Sequence, residues 1–313
     1  MRNDPEQASM YVELVFDKIR TLIKYGVWDN VTEERFNNWK RQFSEEDTYF
    51  AAYLAFQLLY YNKKDFLALI SWAFAETVRR VAISLVENIN DMDEALWEAK
   101  ILEAKAKVLV CPFAVDSPAA SGNMVVRLLR NQNLADEFNM CSVDEIRDKL
   151  RTNRYSAIVF VDDMIGSGDQ ARQFCLNSRS IRRKGRRLRK VEYIRIKRVL
   201  DEFDIQKFLA VGIAPVTSVR TVQRQTGLEV VAAELLADCN STLNNRFWFQ
   251  QDFDDGIEFL KKMELDNRIP RIGHSDSSWA VAFEHGAPDV SSPFYYQEHI
   301  GWTALVPVRG VDI

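Results

Sequence analysis

Residues 157–170 read Ala-Ile-Val-Phe-Val-Asp-Asp-Met-Ile-Gly-Ser-Gly-Asp-Gln, and no other stretch limits the fold as narrowly. The apolar run Ala157–Val161 predicts a buried strand that delivers Asp162 and Asp163 to its C-terminal end. Small residues follow, and the helical pattern resumes near Asp169. Ligands of open parallel sheets sit at that end of the strands. Glycines there let backbone N–H groups approach an anion, and the start of the helix adds donors and positive potential. Two adjacent carboxylates suit the two hydroxyls of a ribose. The segment is not a Walker A loop, because no Lys-Ser or Lys-Thr follows the glycines. It is not a dinucleotide turn either, because the acids precede the glycines. The competing reading is an ordinary strand–turn–helix whose acids cap the helix.

Around this segment, short apolar runs alternate with helical patterns. Val108–Cys111, Phe208–Ile213, Leu228–Val231, Trp279–Phe283 and Thr303–Val308 read as strands. Asn123–Leu134, Val143–Leu150, Asp169–Ser178 and Val216–Thr226 read as helices. That alternation predicts an α/β domain with a mostly parallel sheet. Before it, the chain reads as helices. Tyr11, Val12, Val15, Phe16, Ile19 and Ile23 recur at helical spacing. Thr32, Ser44 and Asn62 stand where N-caps are expected, each with acids in the turn that follows. The expected division is an α-helical region over 1–100 and an α/β domain over 101–313, with the boundary near 95–105.

A hydrophobic fraction of 47% over 313 residues supports a folded globular chain. No apolar run approaches the roughly 20 residues needed to span a bilayer, and the N-terminus has no signal-peptide pattern. The expectation is a soluble, cytoplasmic protein with no membrane partner. The cysteines, Cys111, Cys141, Cys175 and Cys239, include no CxxC pair and are expected to be reduced and structural. The histidines, His274, His285 and His299, match no zinc spacing, so no metal ligands are assigned. Charge is uneven. Residues 179–198 hold 11 basic residues and one acid, in a chain of net charge −4. Arg182, Arg183, Arg186, Arg187 and Arg189 are candidate contacts for an anionic partner, since positioned Lys and Arg bind nucleic-acid phosphates without reading sequence. The bland reading is a solvated helix face or an assembly surface.

The 157–170 segment resembles the phosphoribosyl-diphosphate loop of type I phosphoribosyltransferases. In that family apolar residues, two acids and a few small residues precede Thr/Ser-Gly-x-Thr. The resemblance implies that Asp162 and Asp163 hold the ribose hydroxyls, and that Gly166, Ser167, Gly168, Asp169 and Gln170 cradle the 5′-phosphate. Gln170 departs from the pattern, standing where the family usually has threonine. Ser117–Asn123 sits where the family binds diphosphate, and Ser121, Gly122 and Asn123 are the candidates, with Arg127 and Arg130 adding charge. A surface turn with an Asn cap is the alternative.

Two further stretches resemble a divergent phosphoribosyltransferase-like family of bacterial conflict and antiphage systems, retron effectors included. One is the C-terminal set Phe283-Glu284-His285, Pro288, Gly301-Trp302-Thr303 and Pro307. The other is the lead-in Arg35-Phe36-Asn37-Asn38-Trp39 through Phe43. The resemblance implies a hood in which Trp302 stacks on a base and Glu284 or His285 protonates a leaving base; the alternatives are a core or rim aromatic for Trp302 and a satisfied structural histidine for His285. It implies an effector that binds a nucleotide or phosphoribosyl diphosphate, with chemistry at ribose C1′ and magnesium accompanying any diphosphate. Its partners would be a reverse transcriptase and its RNA–DNA hybrid, met through Arg179–Arg198. The other class of reading is a non-catalytic sensor or scaffold built on the same loop.

Overall fold

A computed structural model describes residues 5–87, 93–113, 121–177, 179–183 and 190–307. In chain order come α1 (Pro5–Lys24), α2 (Glu33–Lys40), α3 (Glu45–Gln57), β1 (Leu59–Tyr61), α4 (Lys63–Ser84) and α5 (Glu94–Lys107). Then follow β2 (Val108–Pro112), α6 (Ser121–Asn131), α7 (Ile146–Leu150), β3 (Ala157–Met164), α8 (Asp169–Leu176), β4 (Arg179–Arg183) and β5 (Lys190–Ile194). The chain continues through α9 (Ile196–Leu200), β6 (Gln206–Pro215), α10 (Val216–Thr226), β7 (Glu229–Leu236), α11 (Phe253–Asn267), β8 (Val281–Phe283) and α12 (Pro293–Tyr296). A helical N-terminal region thus precedes α/β structure with mostly parallel sheets. No described helix is long and apolar enough to cross a membrane.

The expected caps form. Thr32 Oγ1 accepts from Arg35 N at 3.1 Å, and Ser44 Oγ from Asp47 N at 3.3 Å. At the start of α4, Asp65 N donates to Asn62 Oδ1 at 3.0 Å while Asn62 N donates to Asp65 Oδ2 at 3.3 Å. Each bond satisfies an amide that the first helical turn leaves unpaired.

The chain divides into two compact units, one of Met1–Phe66 with Leu236–Ile313 and one of Leu67–Leu235. This differs from the division expected near residue 100, which falls inside α5. That helix starts at its Asp93 N-cap, whose side chain accepts from Leu96 N, and runs unbroken to Lys107. No Gly or Pro interrupts its Ala, Leu, Glu and Lys residues, all good helix formers.

The first unit is built from both chain ends. Leu59–Tyr61 pairs in parallel with Val281–Phe283. Its core is aromatic: Phe36, Trp39, Tyr53, Phe294 and Tyr295 are almost wholly buried. The run 303–308 was expected as a strand, but residues 303–307 form none. Ala304, Leu305 and Val306 are apolar because they fill this core. Val308 lies outside the described residues.

The second unit holds a four-stranded sheet in the order β2-β3-β6-β7, with β2 parallel to β3 and β3 parallel to β6. All eight residues of β3 are buried, as a parallel strand covered on both faces requires. On one face Leu109, Ile158, Phe160, Leu209 and Val211 pack with helix residues such as Ile146, Phe174 and Val222. On the other, a Cβ at Gly212 would stand 3.0 Å from Asp163 O and 3.5 Å from Ile70 Cδ1. α4 therefore lies against the sheet beside the acid pair.

Among the described residues the basic segment forms two strands and then enters α9. Arg179–Arg183 and Lys190–Ile194 pair as an antiparallel ribbon, separate from the main sheet. Ser180, Ile181, Val191, Tyr193 and Ile194 give its two strands β-branched, aromatic and small residues among the charges.

Candidate functional site

The acid pair sits where β3 ends. Asp162 is 5% exposed and Asp163 3% exposed. Asp162 Oδ1 accepts the hydroxyl of Ser121 and also Asp163 N at 2.9 Å. Asp163 Oδ1 accepts Met164 N at 2.8 Å. Burial, and then the neighbouring Asp163, push the Asp162 carboxyl well above the ordinary carboxylate range, against the opposing pull of the Ser121 hydrogen bond.

The Ser121 contact joins two segments that the sequence places 41 residues apart. It depends on the next residue. A Cβ on Gly122 would come within 2.6 Å of Phe113 N, 2.8 Å of Val161 O and 2.9 Å of Phe113 O. Only glycine lets α6 start this close to the backbones of β2 and β3. The candidates Ser121, Gly122 and Asn123 thus form the first turn of α6, with Ser121 turned to the acid pair. Ser117–Ala120 lies outside the described residues.

Beyond β3, Ile165 N donates to Ile213 O at 3.0 Å, so the loop leaves the sheet from a fixed point. Gly166 and Ser167 are half-buried. Gly168 has φ +88°, and a Cβ there would meet Val222 Cγ2 at 2.9 Å, so glycine is needed for both conformation and space. Asp169 opens α8. Its amide donates to Ser167 Oγ at 3.2 Å, and the Ser167 hydroxyl donates to Asp169 Oδ2 at 3.1 Å. Arg172 pairs with Asp169 at 3.6 Å. Gln170 is exposed in the first turn. The positive end of α8 faces the loop, which makes the turn fit for a phosphate.

Arg127 and Arg130 lie farther along α6, on the wall of a cleft of about 390 Å³, and Arg130 is 3.7 Å from Glu137. Arg182 and Arg183 lie on β4, while Arg186, Arg187 and Arg189 fall outside the described residues.

Glu284, His285 and Trp302 belong to the other unit, where packing accounts for their positions. Glu284 Oε2 accepts Lys63 N at 2.6 Å and so caps α4. The His285 ring stacks on Phe283 at 5.0 Å and meets Phe66 edge-on at 5.0 Å. Trp302 is 3% exposed and stands edge-on to Phe43 at 5.5 Å. A tryptophan with both faces enclosed in a core offers none to a base, so the expected stacking role does not match this placement.

For magnesium, Asp162 and Asp163 offer oxygen, the atom a hard cation takes. Among the described residues no group of three or more His, Cys, Asp or Glu gathers as a cage. The pair therefore fits magnesium as the companion of a diphosphate, which would supply the remaining oxygens.

No curated protein and no solved structure matches the chain. A family model described as PRTase-CE matches residues 36–308, from α2 through the acid pair and both glycines to the last buried residues of the first unit. With most of its length inside that match, the chain belongs to the PRTase-CE family, a phosphoribosyltransferase-like family.

Proposed function

We propose that the protein is a phosphoribosyltransferase-like effector that binds a nucleotide or phosphoribosyl diphosphate at the end of β3, acts at ribose C1′, and serves bacterial antiphage defence of the retron type. The observation that carries the binding reading is the contact between Ser121 and Asp162, which joins the diphosphate candidate to the ribose candidate. Asp162 and Asp163 would accept the ribose hydroxyls, and residues 166–170 would take the 5′-phosphate. The first turn of α6 would take the diphosphate, or a nucleotide's departing group. Cleavage at C1′ builds oxocarbenium character, which carboxylates beside the ribose stabilise in a water-poor site. A buried acid held above its ordinary range suits this work: ligand hydroxyls and an accompanying cation favour its ionised form when they arrive. Magnesium, when bound with a diphosphate, would neutralise the leaving group.

The ribbon of β4 and β5, with the basic residues that run on to Arg198, supports an anionic partner, which we take to be a reverse transcriptase with its RNA–DNA hybrid. The cations of such a ribbon bind nucleic-acid phosphates without reading sequence.

A second reading, a nucleotide sensor without turnover, is favoured by Gln170, which replaces the usual threonine and is exposed. The test is to incubate the full chain with nucleotides, and separately with phosphoribosyl diphosphate and free bases, following base release and nucleotide formation by chromatography. Turnover that vanishes in Asp162→Asn/Asp163→Asn is the expected result. Binding without turnover in every arm selects the sensor.

A further inference from the structure

Cys111 and Cys141 look unrelated in the sequence, yet the fold sets them side by side. Val110 forms a parallel bridge with Met140, and Cys141 N donates to Val110 O at 3.0 Å. One residue beyond this isolated bridge stand Cys111, in β2, and Cys141, in the segment beside it. Neighbouring strands lie about 4.8 Å apart, inside the Cα separation of about 4.4–6.8 Å that a disulfide spans. Both side chains enter the same hydrophobic cluster, so they point to the same face. The Cys111 thiol donates to Pro112 O at 3.7 Å, at the end of β2. Both cysteines are free in the structure.

We propose that Cys111 and Cys141 form an oxidisable pair that closes to a disulfide when the protein meets hydrogen peroxide. Access is one-sided. Cys111 is fully buried, whereas Cys141, 6% exposed, lines the cleft of about 390 Å³ together with Pro112, Asn123 and Ser142. Peroxide therefore reaches Cys141. Its thiolate attacks one peroxide oxygen, the O–O bond breaks, and sulfenic acid and hydroxide result. The Cys111 sulfur then attacks the Cys141 sulfur and expels the sulfenic oxygen as water. Two thiols lose two electrons and two protons in all, and one peroxide becomes two waters. Burial pushes the Cys111 thiol up and disfavours its thiolate, so the first step falls to Cys141 and Cys111 acts only through its closeness to the Cys141 sulfur.

The bond would tie residue 141 to the end of β2, next to Pro112 and Phe113. Phe113 is the residue whose backbone Gly122 touches. A redox event in the cleft is thereby placed two residues from the contact that positions Ser121 against Asp162. The pair stands apart from the proposed ligand chemistry and holds or fails independently of it.

The exposed Cys239 is the competing thiol, so the test uses the full chain carrying Cys239→Ser. The protein is treated with peroxide, denatured, alkylated and digested for mass spectrometry. The expected result is a peptide joined through Cys111 and Cys141, reversed by reductant, with Cys175 still open to alkylation. Adding Cys141→Ser should abolish the joined peptide and leave Cys111 alkylatable. Full alkylation of both cysteines after peroxide levels that oxidise Cys239 in the parent chain would overturn the proposal. So would oxidation of Cys141 to sulfinic acid with Cys111 left free.

Discussion

In the unit made from the two chain ends, two buried hydroxyls end on backbone carbonyls: Tyr53 Oη donates to Phe247 O at 2.7 Å, and Tyr295 Oη to Leu54 O at 3.0 Å. In the unit made from the middle of the chain, two carboxylates are buried next to each other, and one is held far from its ordinary titration range. The first arrangement stabilises, because each of these two buried hydroxyls keeps a hydrogen bond. The second costs stability, because like charges and desolvation oppose ionisation. Strain of that kind collects at functional sites. The contrast separates residues that make the fold from residues that the fold supports for another purpose.

The largest expected effect lies in the packing unit. Trp39 is fully buried and lies against Phe36, Phe43 and Phe294. Trp39→Ala should cost about 3–5 kcal/mol in denaturant unfolding. A loss near zero would show that this core does not bear on stability.

Next comes Gly122→Ala. Its Cβ would strike backbone atoms of Phe113 and Val161 that cannot turn aside. Overpacking of this kind costs about 1–3 kcal/mol, and the start of α6 should move away from β3. A structure of the variant with Ser121 still bonded to Asp162 would contradict this account of the glycine.

The smallest effect on stability has the opposite sign. Asp162 binds its proton more tightly in the fold than in the unfolded chain. The native state therefore holds more protons between the two titration points, and stability falls as pH rises from the unfolded value, roughly 3.9, to the raised folded one. Asp162→Asn removes that loss. It should unfold at a higher temperature than the parent chain at neutral pH, with the gap closing in acid. A variant less stable than the parent at neutral pH would mean that Asp162 serves the fold.

Local chemistry was legible in the sequence. Caps at Thr32, Ser44 and Asn62 need only a polar side chain and the next turn. The β3 loop shows itself through apolar residues, acids and glycines within a single segment. What escaped was contact between distant residues. Leu59–Tyr61 and Val281–Phe283 are too short to show alternation, so nothing marked the C-terminal segment as part of the helical unit. The arginines of 179–190 hid a ribbon because charge masked its strand formers. Ser121 was a candidate from its position, but its bond to Asp162 was not visible, although the adjacent Gly122 is the residue that such a close approach requires. Trp302 is enclosed in packing, the alternative reading of it as a core aromatic, and Glu284 caps α4.

The central claim is that the buried acid pair exists to hold a ribose. Titration calorimetry of the full chain with phosphoribosyl diphosphate and magnesium tests it directly, with Asp162→Asn/Asp163→Asn beside the parent. Each hydrogen bond to a charged group is worth about 1.5–3 kcal/mol, so the double variant should bind at least roughly tenfold more weakly while remaining folded. Equal affinity in the two proteins would contradict the account.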